Sequence, residues 1–177
     1  MTEPSSLPNE TDLRSEPMHE RDSITRRDPA ELRRYVIRPG ENLRPIARQY
    51  ARELRLGRHA KKGLDALSQF LETMARTSGV EALALVSWCE PDLRPSLAVR
   101  IFTSPEPGTE TSAVTTRAVA EANANLFAHL SPLVPFGGLR FHHTSRAELP
   151  SVERRFREHI RRTPGQNLLG FLPIERD

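Results

Sequence analysis

Apolar residues recur at helical spacing from Leu43 onward. Leu43, Ile46, Ala47, Tyr50 and Leu54 fall on one face of a helix that can begin at Pro45 and stop near Gly57. A second stripe, Leu64, Leu67, Phe70, Leu71 and Met74, follows Gly63 and closes at Gly79. The pattern then shortens. Residues 80–90 are continuously apolar from Ala82 to Val86, and residues 96–104 are again β-branched and aromatic. They predict two strands joined by a wide loop, the first covered on both faces. A third helix spans residues 111–130, with Val114, Ala118, Ala122, Leu126 and Leu130 as its core positions. Residues 138–145 alternate as a strand. A last helix starts near Pro150 with a narrow stripe of Val152, Phe156 and Ile160. The apolar tail, broken by Gly170 and Pro173, reads as an edge strand, a docked arm or a partner-binding peptide. The expected fold is α+β: a small, mostly antiparallel sheet covered by helices, in the order α-α-β-β-α-β-α.

Before this pattern the chain lacks periodicity. The hydrophobic fraction is 37%, and the deficit is concentrated in residues 1–34, which hold only seven such side chains. Residues 1–34 are therefore expected to be a disordered, acidic head containing Pro, Ser and Thr, because so little apolar area does not offset the entropy of ordering. Residues 35–177 are expected to form a single α+β domain that includes a basic helical segment, 41–62. With one cysteine, Cys89, no intrachain disulfide forms, and a reducing compartment is the natural setting. No apolar run suits a signal peptide or a membrane span, so a soluble, cytoplasmic protein is expected. The composition of the head also fits an unstructured export signal, which would make the chain an exported bacterial effector.

Charge sharpens the picture. Residues 1–31 carry eight acidic and four basic side chains, a net of −4, whereas residues 33–62 carry ten basic and two acidic, a net of +8. Arg44, Arg48 and Arg52 stack one helical turn apart, and Arg55, Arg58, Lys61 and Lys62 continue the basic face. A second basic cluster, Arg154, Arg155, Arg157, Arg161 and Arg162, lies on the last helix. Such faces attract anionic surfaces. The expected function is a non-enzymatic interaction or regulatory module that binds a protein partner with an acidic surface through the first basic face. The alternative is a nucleic-acid-binding accessory protein that uses both arginine clusters. Few aromatics accompany them for stacking on bases. A homodimer is a further expectation, since an open sheet edge and an apolar tail both serve as dimer contacts.

The residues that could carry chemistry point elsewhere. His142 and His143 are adjacent on a strand, so their side chains point to opposite faces and do not chelate one ion together. If Leu139, Phe141 and His143 face the core, then Arg140, His142 and Thr144 face solvent or a partner. Cys89 has no base beside it in sequence and reads as a small sheet residue. The chain contains no G-x-G-x-x-G, G-x-x-x-x-G-K-[ST] or G-x-S-x-G loop. No catalytic residue, metal site or cofactor is expected.

One resemblance accompanies this reading. A helix runs through Gly79 into an apolar strand at Val80, Ala84 and Leu85, followed by a loop, a second strand, a helix and a further strand. That order over residues 64–145 resembles the C-terminal domain of the enhanced serine sensitivity (SseB) family. The resemblance implies a binding or regulatory module and carries over no catalytic residue.

Overall fold

A computed structural model describes residues 35–58, 60–88 and 95–176. The chain divides into two units, Met1–Arg33 and Arg34–Asp177, and every described residue belongs to the second. The expectations for the head and for Cys89 lie outside the described residues.

The periodic stretches become helices where their stripes are buried. α1 (Arg44–Glu53) has Pro45 in its first turn, where a missing N–H leaves no bond unmade, and it buries Ile46, Ala47 and Tyr50. α2 (Lys61–Arg76) buries Ala66, Leu67, Phe70, Leu71, Met74 and Ala75. It begins two residues before Gly63, and that glycine lets the Leu130 and Leu133 side chains approach the helix closely. β1 (Val80–Trp88) and β2 (Ser96–Thr103) then form an antiparallel pair.

α3 (Glu110–Leu130) corrects one stripe. Its buried positions are Thr115, Val119, Leu126 and Leu130, while Val114 is 60% exposed. The offset has a polar cause: the Thr115 hydroxyl donates to the Ser78 carbonyl at 2.9 Å, which turns that position inward. β3 (Phe136–His143) follows, and α4 (Leu149–Arg162) carries the expected stripe, with Ile160 buried and Val152 and Phe156 half-buried.

The apolar tail is a fourth strand, β4 (Gln166–Pro173), antiparallel to β1. It buries Phe171, Leu172 and Ile174, so the tail is part of this domain's own core rather than a free partner-binding peptide. The element order is therefore α-α-β-β-α-β-α-β, one strand longer than expected. The sheet, ordered β3-β2-β1-β4, is mixed, because β2 and β3 run parallel. A parallel pair needs a crossover, and α3 provides it.

Side chains alternate between the two faces of the sheet. Leu83, Leu85, Leu97, Val99, Ile101 and Leu172 share one core with α1, α2 and α3. Ala82, Ala84, Phe102 and Phe171 face the other way, against Leu149, Val152 and Phe156 of α4. A single helix spans this second face: Phe156 packs between Phe102 of β2 and Phe171 of β4, and Ile160 clusters with Val86 of β1 and Ala98 of β2. The candidate site lies beside it.

Candidate functional site

Past Ile160 of α4, the second face is uncovered at the Trp88 end of the sheet. Trp88 fills part of the gap. Its ring reaches across β2 to Gly137 on β3, so closely that a Cβ on Gly137 would lie inside the ring. β3 accommodates this by a bulge: Leu97 pairs with Phe136 and Val99 with Leu139, so β3 carries one extra residue at Gly137–Gly138. Gly138 sits at φ +94°, a conformation that side-chain-bearing residues rarely adopt.

Beside Trp88 lies a cleft of about 390 Å³, open to solvent. Val86 and Ala98 form its apolar floor. Trp88, Arg100 and Gly137 line one side, and the α4–β4 turn supplies Pro164, Gly165 and Gln166. Arg100 pairs in register with Arg140 on the parallel strand, and Phe102 pairs with His142. The Phe102 and His142 rings stack at 5.0 Å, so the row shares the cleft's face of the sheet; Arg100 lines the cleft, and Arg140 stands next to it on β3, outside the lining.

Three basic groups therefore stand together. Neither Arg100 nor Arg140 forms an ion pair among the described residues. Burial and then the neighbouring Arg140 push the Arg100 pKa down. His142 is held below the ordinary imidazole value, first by burial and then by Arg100 and Arg140. Its Nε2 is buried without a hydrogen-bond partner. Two guanidiniums that pair with no carboxylate among the described residues are the electrostatic complement of an anion.

β3 also corrects the expected facing of the histidines. His142 is the half-buried one, because Phe102 and Phe156 enclose it. His143 is exposed, and its Nδ1 donates to the Pro105 carbonyl at 3.0 Å. Phe141 is 38% exposed, and Thr144, expected to face outward, is buried. Among the described residues no group of three His, Cys, Asp or Glu side chains could hold a metal ion.

The basic face expected from sequence lies on the other side of the sheet, on α1 and the corner leading into α2. Arg44, Arg48, Arg52, Arg55, Arg58, Lys61 and Lys62 are all exposed. Arg44 pairs with Asp65 at 3.0 Å, and the other six form no ion pair among the described residues. Arg55 is the one non-glycine residue with positive φ among those described, at 55°. It occupies the position after the helix C-cap. Its N–H bonds the Arg52 carbonyl, and the next N–H, from Leu56, bonds the Ala51 carbonyl. Glycine ordinarily takes that place.

The second basic cluster is partly spent. On α4, Arg157 pairs with Glu153 at 3.0 Å and Arg162 with Glu158 at 2.6 Å, leaving Arg154, Arg155 and Arg161 unpaired among the described residues. α1 and α4 pack on opposite faces of the sheet, so the two clusters do not join into one surface.

Sequence reasoning missed Arg100. Its signal was present: a lone charge in the apolar strand Ser96–Thr103. No family model, no curated protein and no solved structure matches this chain. Among the described residues no helix is long and apolar enough to cross a membrane.

Proposed function

We propose that this chain is a non-enzymatic interaction module that binds an acidic protein partner through the basic ridge of α1 and the α1–α2 corner. The observation that carries this reading is Arg55. A left-handed backbone costs a side-chain-bearing residue about 1 kcal/mol relative to glycine. The chain carries a cation there, in a row with Arg48, Arg52, Arg58, Lys61 and Lys62, none of them neutralised by a carboxylate among the described residues.

Two features favour protein over nucleic acid. Tyr50, the aromatic on α1, is wholly buried, and Tyr35 is half-buried with its hydroxyl on Gln49, so among the described residues the ridge carries no exposed aromatic ring for stacking on bases. The α4 cluster faces the opposite way, so it does not extend a phosphate track begun on α1. The reading agrees with what the SseB-like order of residues 64–145 implies, a binding or regulatory module. A cytoplasmic setting, suggested by the single cysteine, is part of the same proposal.

The test is fluorescence anisotropy with a labelled glutamate-rich peptide and a labelled single-stranded RNA, at about 50 and 200 mM salt. The peptide is expected to bind, and Arg48→Glu with Arg52→Glu to abolish that binding. RNA bound more tightly than the peptide at both salts would replace the protein reading with the nucleic-acid one.

A further inference from the structure

The cleft on the opposite face makes a narrower demand than the ridge. Arg100 and Arg140 stand at paired positions on parallel strands, and each guanidinium can offer two parallel N–H donors. Two adjacent cations with no carboxylate bonded to them among the described residues are balanced by a doubly charged oxyanion better than by a single carboxylate. Beside them Trp88 supplies an aromatic surface, held across the sheet by the absence of a side chain at Gly137. On β4 the cross-strand neighbour of Trp88, Gln166, also lines the cleft, and its amide can both donate and accept. The volume, about 390 Å³, lies near the lower end of the range for small-molecule sites, roughly 300–1,000 Å³.

We propose that this cleft binds a phosphate monoester carried on a flat ring, the chemistry of a nucleoside monophosphate. The phosphate sits between Arg100 and Arg140, the ring lies against Trp88, and Gln166 reads the ring edge. Among the described residues neither guanidinium is paired with a carboxylate, and the Trp88 ring borders the cleft. The site shares no residue with the α1 ridge, so it stands or falls separately from the proposed partner surface.

Trp88 is the sole tryptophan of the chain, so intrinsic fluorescence reports on this cleft alone. The experiment titrates the full chain with uridine monophosphate, uridine and inorganic phosphate, following Trp88 emission and confirming by calorimetry. The proposal expects saturable binding of the monophosphate, tighter than either fragment. Arg140→Gln, at an exposed position, should leave thermal unfolding unchanged and weaken binding about ten-fold or more. Trp88→Leu, followed by calorimetry, should weaken the monophosphate and leave inorganic phosphate unaffected. No saturable binding at millimolar monophosphate would overturn the proposal, as would equal affinity in Arg140→Gln. Inorganic phosphate bound as tightly as the monophosphate would overturn the role given to Trp88 and the ring.

Discussion

Arg100 and Arg140 stand at paired positions on neighbouring parallel strands, on the face of the sheet that α4 covers in part. His142, one pleat further along β3, is held below the ordinary imidazole value by its burial and then by those two guanidiniums. An anion bound between the arginines offsets their repulsion of a protonated ring. The His142 pKa is therefore expected to rise when phosphate or uridine monophosphate binds. An NMR titration of the His142 ring protons with and without ligand measures it, and an unchanged midpoint contradicts the placement of the anion.

The same residue fixes a stability slope. A depressed folded pKa means that the unfolded chain takes up the proton more readily. His142 thus contributes stability above its unfolded value, about 6.5, and loses it as pH falls below that value. Urea unfolding of His142→Gln and of the parent chain is expected to converge as the pH drops from about 7 toward 5, relative to their difference at neutral pH. A difference that stays constant with pH would show that His142 does not titrate against Arg100 and Arg140.

Tyr50 packs over Gly170 of β4, and its buried hydroxyl has no hydrogen-bond partner. Burial, with a smaller push from Glu53, raises its pKa well above the ordinary phenol value. A raised folded pKa gives stability that is present below the unfolded value, about 10, and lost as pH climbs past it. Tyr50→Phe removes an unsatisfied donor, so it should be neutral or stabilising by up to about 1 kcal/mol at pH 7. It should also blunt the alkaline loss. Denaturant midpoints at neutral and alkaline pH check both expectations.

Arg55 offers a trade between stability and binding. Arg55→Gly relieves the left-handed backbone and should raise stability by about 1 kcal/mol in urea unfolding. The same change removes one cation from the ridge and should weaken acidic-peptide binding. A variant that is more stable and binds unchanged would place Arg55 outside the partner surface.

The α3 register separates two valines. Val119 is buried and Val114 is 60% exposed. Val119→Ala is expected to cost about 2 kcal/mol, and Val114→Ala no more than about 0.5. Equal costs would restore the stripe that periodicity alone suggests.

That valine pair shows where the sequence was legible and where it was not. The α1 and α2 stripes could be read directly, because a single helix face packed against a core repeats every three or four residues. On α3 small residues occur all around the helix, and the inward position was decided by the hydroxyl of Thr115, a long-range bond to Ser78 that periodicity does not encode. The tail was harder still. Gly170 and Pro173 read as breaks. In the fold, the first gives Tyr50 room, and the second ends β4 where its carbonyl accepts from the Ile37 N–H. Alternation did place Arg140 and His142 on one side of β3. Their neighbour Arg100 is forty positions earlier, and only the parallel crossover through α3 brings the two arginines together.

The central claim is that two independent anion-binding surfaces lie on opposite faces of one sheet. A crossed titration tests it most directly, with Arg48→Glu/Arg52→Glu and Arg140→Gln each measured against the glutamate-rich peptide and uridine monophosphate. The account predicts that the ridge variant loses the peptide and keeps the nucleotide, and that the cleft variant does the reverse. If either variant weakened both ligands alike while remaining folded, or neither ligand bound the parent chain, the claim would be contradicted.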